Sequence, residues 1–277
     1  MMARNRDMRS HDCERGTPRA CATFLLAILP VWGAEDANAI VKRSIEAQGK
    51  NWERASQYTY VEQADFFSFD KSGQPKKDRS ETHEIMFVEG LTYKKLVARN
   101  ERPLEPKEQS KVEKLMQRIA KERREQRRSG VFHKNVSLGS DEDLLTLFDN
   151  RVLGEEEVRG RKAWVIGSTP KEGRVAANAH EKEVLSFKRK LWIDEAEYVQ
   201  LKTEYTVVGQ HIAFTPGTTI TWDFEKINDD AWLTTSGVIN GHLQFVKFIK
   251  PAVRTEYKNS KFQKFDVQST ITVEPPK

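Results

Sequence analysis

Catalytic or metal chemistry would have to start from histidine, cysteine, serine and acidic residues at defined spacings. In this 277-residue chain those spacings are missing. There is no G-x-S-x-G elbow, no glycine-rich phosphate loop and no H-E-x-x-H. Thr82-His83-Glu84 falls in a stretch that reads as a strand. Successive side chains there point to opposite faces, so His83 and Glu84 cannot share a metal. His133, His180, His211 and His242 are scattered with no ligand spacing. Charged residues make up 31 % of the chain, so no single acidic pair is informative. Asn135-Val136-Ser137 matches a glycosylation triplet, a signal that carries meaning only for a chain exported through a eukaryotic secretory pathway. The chemistry points to a binding protein rather than an enzyme, with no cofactor and no metal.

The charge pattern narrows the partners. Glu105 to Arg128 carries nine Lys or Arg against five Glu. No aromatic interleaves with them, so a base-stacking platform is absent. Either this is a solvated helix face, or it meets an anionic membrane surface or a protein partner, with Arg123, Arg124, Arg127 and Arg128 as the contacts. Nucleic acid is excluded by the mild balance. The net charge is +5, and the segment 1–34 holds five Arg against Asp7, Asp12 and Glu14, which leaves about +3 without it. That segment reads as a secretory signal. Five arginines precede the short apolar run Ala20 to Trp32, and small residues at Gly33-Ala34 or Ala37-Asn38-Ala39 suit cleavage. Both cysteines, Cys13 and Cys21, lie inside it, so the remaining chain has no disulfide. Secretion of the chain follows as an expectation.

The positioning elements are mostly strands. Leu185 to Val208 reads as a hairpin. Phe187, Leu191 and Ile193 share one parity of the first arm, and Val199, Leu201, Thr203, Tyr205 and Val207 one parity of the second. Asp194, Glu195 and Ala196 form the turn. Further strands are expected at Gln57 to Phe69, Ser80 to Val88 and Leu91 to Ala98, then at Arg151 to Val158 and Lys162 to Ser168. Thr218 to Lys226, Trp232 to Ile249 and Val253 to Phe265 complete the series, a total of about nine to eleven. An N-terminal helix is expected over Asp36 to Ala55. A two-helix insertion spans 105–148, with Val112, Leu115, Met116 and Ile119 as the stripe of its first helix. With no repeat and no linker, residues 35–277 read as one domain. So many antiparallel strands must curl or close.

The stretches VEGLTYKKLVARNERPL, VRGRKAWVI, KLWIDEAEYVQLKTEY and KFQKFDV, with the N-terminal signal and helix, resemble the LolA-like superfamily of bacterial outer-membrane lipoprotein-sorting proteins. That superfamily includes LolB, LppX-type lipid carriers and RseB-type sensors. The resemblance implies a mainly β fold with α: a curved antiparallel sheet forming an unclosed β-barrel, under an N-terminal helix and a helical lid. It implies a monomeric periplasmic carrier of a lipid, acyl chain or lipoprotein. The alternative is an envelope sensor or scaffold binding a protein partner. Leu115, Ile119, Phe132, Leu144 and Phe148 would then close over a hydrophobic ligand, and Trp222, Phe224, Leu243 and Phe245 would line its cavity. The simpler reading of those strand residues is a packed core.

Overall fold

The computed structural model describes residues 36–129, 141–244 and 251–265. The expected signal segment, Phe132 and Phe245 lie outside the described residues. The first element is helix α1 (Ala37–Ala55), begun by Asp36, whose carboxylate accepts from the Ala39 N–H at 3.2 Å. Strands β1 (Tyr58–Phe69), β2 (Pro75–Val88), β3 (Leu91–Arg99) and β4 (Arg102–Pro103) follow. Helices α2 (Pro106–Arg128) and α3 (Asp141–Thr146) lead to β5 (Phe148–Val158) and β6 (Arg161–Pro170). A short helix α4 (Ala179–Val184) lies between β6 and β7. The chain ends in β7 (Phe187–Asp194), β8 (Gln200–Val207), β9 (Thr219–Ile227), β10 (Ala231–His242) and β11 (Ala252–Lys264).

These eleven strands form one antiparallel sheet in the order β4-β3-β2-β1-β11-β10-β9-β8-β7-β6-β5, not closed into a barrel. It is two meanders joined where the first strand pairs with the last, Glu62 opposite Asn259 and Ala64 opposite Tyr257. Tight hairpins make each meander. In the β2–β3 and β5–β6 connections, Glu89-Gly90 and Arg159-Gly160 take positive φ at both central positions. That backbone matches strand twist in two-residue turns. The two free edges, β4 and β5, are consecutive in the chain, and the helical insertion connects them.

The sheet bends strongly. Arg161 on β6 lies 5.1 Å from the ring centroid of Trp232 on β10, four strands away. At about 4.8 Å per strand a flat sheet would hold them roughly 19 Å apart, beyond the reach of two side chains. Helix α1 lies against the face inside this bend. Ile40 and Val41 are buried against Ile166, Leu191 and Ile193. Near its end, Asn51 holds both the N–H and the C=O of Trp232 at 2.8 Å, and Trp52 meets Phe87 on β2 edge to face. Leu144 of α3 packs on Ala37, Ile40 and Val41.

Helix α2 lies on the other face. Its Met116, Ile119 and Ala120 pack on Met86, Val88 and Tyr93. Met86 and Val88 flank Phe87, which faces α1, and strand neighbours point to opposite sides. The expected helical roof is therefore divided: α3 joins α1 inside the bend, and α2 backs the sheet from outside. The reason is visible in β2, where both parities end in apolar residues and each parity has its own helix to bury.

Candidate functional site

One end of the bent sheet is closed by an ionic network. The Asp194 carboxylate is buried and accepts from Arg161 Nε at 2.7 Å and Nη2 at 2.9 Å. It also accepts from the Ala196 and Glu197 N–H groups at 3.0 and 2.7 Å. Burial alone would push this carboxyl up; the Arg161 guanidinium and the two backbone donors outweigh it and hold the group below the usual range. Glu197 extends the network to Arg161, Lys226 and the indole N–H of Trp232. This is structural chemistry that fixes the curvature.

The face inside the bend carries a second constellation, away from the part that α1 covers most closely. Tyr60 pairs with Ile85, Glu62 with His83 and Asn259, and Ala64 with Tyr257. Tyr257 continues across the sheet through Gly237, Trp222 and Thr203 to Leu191, which packs on α1. Every side chain in this row shares the α1 face. Gly237 is required there, because a Cβ would sit 2.1 Å from Trp222 Cε3. Its bare backbone lets the Trp222 ring lie across β10 and reach Tyr257, with centroids 5.3 Å apart. The Tyr60 and Phe262 rings meet at a tilt of 37°, with centroids 5.3 Å apart. Tyr60, Phe87, Trp222, Tyr257 and Phe262 are all half-buried, an aromatic floor open on one side.

A charged pair sits in this floor. Glu62 is only 5 % exposed, and both its oxygens accept from Lys94 Nζ, at 2.8 and 2.9 Å. The Lys94 side chain is half-exposed and lies 5.5 Å from the Tyr257 ring centroid. A buried carboxylate is tolerated when a cation and hydrogen bonds meet it. Burial lowers the His83 pKa, opposed by Glu62 and Glu81. Burial, then the Glu62 charge, pushes the Tyr60 hydroxyl up to about 12. The phenol of Tyr257 is raised for the same reasons. His83 and the two phenols are thereby held neutral near neutral pH.

The residues singled out in the sequence are not gathered in one place. Trp222 belongs to the aromatic floor. Phe224 packs beside Trp232, Leu201 and Val199. Leu243 bridges to Phe214. Leu144 and Phe148, at 4 % and 1 % exposed, fill core. Ile119 faces the outer side of the sheet, and Leu115, 41 % exposed, faces solvent. A helix of this length has room for only one buried stripe, and Met116, Ile119 and Ala120 take it.

The four arginines expected as a contact surface lie at the end of α2, beside the β2–β3 turn. Arg123 donates to the carbonyls of Val88, Leu91 and Thr92 at 2.9 to 3.1 Å. Arg124 pairs with Glu89 at 2.7 Å, and Arg127 donates to the Glu89 carbonyl. These three clamp α2 onto the β2–β3 turn, and Arg128 alone of the four points outward, exposed.

Glu62 was missed in the sequence, although a signal was there. In YTYVEQADF it stands on the parity of Tyr58, Tyr60, Ala64 and Phe66, the one acidic residue on the buried side. Among the remaining histidines, His211 is buried between Phe187 and Phe214, accepts two backbone N–H groups at Nδ1 and meets Glu183 through Nε2 at 2.5 Å. His180 meets Asp143 at 3.0 Å. No group of three or more His, Cys, Asp or Glu among the described residues could hold a metal ion. No described helix is long and apolar enough to cross a membrane.

No family model and no curated protein matches the chain. Among solved structures it is similar to a putative outer membrane lipoprotein-sorting protein domain from Vibrio parahaemolyticus, at 12 % identity and TM-score 0.39, covering 81 % of this chain and 93 % of that one. It is similar to a LolA superfamily protein from Nitrosomonas europaea at 10 % identity and TM-score 0.32, over 84 % and 96 % of the two chains. The Mycobacterium tuberculosis lipoprotein LppX matches at 8 % identity and TM-score 0.31, over 82 % and 96 %. The open antiparallel sheet itself rests on the strand order and register described above.

Proposed function

We propose that the protein is a periplasmic binding protein that carries a lipid or acyl group on the aromatic floor inside the bend of its sheet. The observation that supports this is the half-open row of Tyr60, Tyr257, Trp222 and Phe262 beside α1. Those rings share one face and are left partly uncovered, whereas α1 and α3 cover Ile166, Leu191 and Ile193 on that face, and Phe214 and His211 cover Phe187. An acyl chain laid along the row buries roughly ten methylenes at about 0.8 kcal/mol each, on the order of 8 kcal/mol gross. That is the scale of micromolar capture. No catalytic group is needed for such a task. The N-terminal segment is read as the export signal that brings the chain to the periplasm.

Native mass spectrometry of the purified protein, with uptake of a fluorescent fatty acid, tests the reading. Co-purified lipid, and uptake weakened by Trp222→Ala, are the expected results. A lipid-free protein that takes up no fatty acid would reject it. The scaffold alternative drew on the arginines of α2, and three of those four hold the helix to its own sheet.

A further inference from the structure

Folding sorts the charges of α2. Two of its four acidic residues turn toward cations on the sheet: Glu108 pairs with Arg99 at 2.7 Å and Glu113 with Lys95 at 2.8 Å. Arg123, Arg124 and Arg127 are spent on the β2–β3 turn. What remains outside is a row of Lys107, Lys111, Lys114, Arg118, Lys121 and Arg128, all exposed. Their spacing follows the helical repeat, so they share the side opposite Met116 and Ala120 and run for about 32 Å at 1.5 Å per residue. Arg118 has a loose partner in Glu122 at 3.7 Å. No ion pair involves Lys107, Lys111, Lys114 or Lys121 among the described residues. Glu122 and Glu125 are the exposed acidic residues on this side of the helix. Leu115 stands at its flank, an exposed apolar side chain.

We propose that this outer face of α2 seats the protein on an anionic lipid surface. The row is long, straight and dominated by lysine. Lysine acts as a hydrated point charge rather than a planar fork for one fixed acceptor. A diffuse array of this kind matches a diffuse array of lipid phosphates, and Leu115 can enter the headgroup layer. Because α2 and the aromatic floor lie on opposite faces of the sheet, docking leaves the floor uncovered. The inference is independent of the carrier reading, and either can fail alone.

Vesicle co-sedimentation tests it, using the chain without residues 1–34 and vesicles of about one-third phosphatidylglycerol in phosphatidylcholine. Binding is expected to these, not to pure phosphatidylcholine, and to fall steeply with added salt. At about 1 kcal/mol per basic residue near such a surface, Lys107→Gln, Lys114→Gln and Lys121→Gln together lower the partition constant roughly 100-fold. The control removes equal charge elsewhere, with Lys71→Gln, Lys76→Gln and Lys258→Gln, and leaves binding within about threefold. Unchanged melting curves establish that both triple variants are folded. Absence of binding to anionic vesicles, or equal loss in both variants, overturns the proposal. So does capture of a soluble polyglutamate peptide by these lysines with no vesicle binding, which would assign the face to an acidic protein. Fatty-acid uptake measured without vesicles stays unchanged in the α2 triple variant, which separates this test from that of the carrier.

Discussion

Replacing Asp194 with Asn probes the ionic network that bends the sheet. The side chain keeps its shape, and its remaining oxygen still accepts from the Ala196 and Glu197 N–H groups. On the other side an amide NH2 now faces Arg161 Nε, which the wild-type oxygen meets at 2.7 Å, so a donor confronts a donor. The Nε bond is lost outright, while Arg161 Nη2, at 2.9 Å from the oxygen that remains, keeps its acceptor but loses the acceptor's charge, so between one and two charge-assisted hydrogen bonds at about 1.5–3 kcal/mol each are at stake. The Arg161 side chain is 37 % exposed and has Glu197 at 2.9 Å as a second partner, so solvent and that carboxylate recover part of the loss. The expected cost is about 2–3 kcal/mol, or roughly 4–12 °C in Tm for a domain of this size. The pH dependence carries the diagnosis. The folded Asp194 pKa lies below its ordinary 3.8, so its contribution is full above that value and fades as acid titrates the group. Urea unfolding of wild type and D194N should show the gap at neutral pH and a shrinking gap in acid. A neutral-pH gap under about 1 kcal/mol, or a gap that persists unchanged in strong acid, refutes the argument.

Arg123→Ala removes the donor to three carbonyls of the β2–β3 turn; α2 should loosen, read as faster amide exchange over 106–128 at a global cost of about 1–3 kcal/mol. Gly237→Ala drives a methyl into the Trp222 ring, so the Trp222–Tyr257 contact should part, seen as altered near-UV dichroism and weaker fatty-acid uptake. His83 has its pKa lowered by burial, so it stabilises the fold above the ordinary value of 6.5 and that support declines as pH falls through the folded value. His83→Gln should flatten this part of the stability profile, and an unchanged acid limb would show that His83 does not titrate in the fold.

Much of the local structure was legible in the residues. The alternation in Val199, Leu201, Thr203 and Val207 marks the buried side of β8, and all four are 3 % exposed or less. The turn around Asp194 and the helical stripe of Met116 and Ile119 could be read the same way. A period of two or of 3.6 is a property of consecutive residues, so sequence alone carries it. It does not say which strand lies alongside or which helix covers a face. Trp192 is buried on the face opposite Leu191, a position where the alternation of a single strand assigned no partner. The pairing of β1 with β11 joins residues almost two hundred positions apart in the chain. That pairing decides that Glu62 meets Asn259. The folding of β3 beside β2 brings Lys94 to the same carboxylate. Likewise nothing in the charge run of α2 distinguishes Arg123, which clamps a turn, from Lys114, which faces water. Only docking against Met86, Val88 and Tyr93 fixes the rotation of the helix, and with it which cations are spent inside the protein and which remain for a partner.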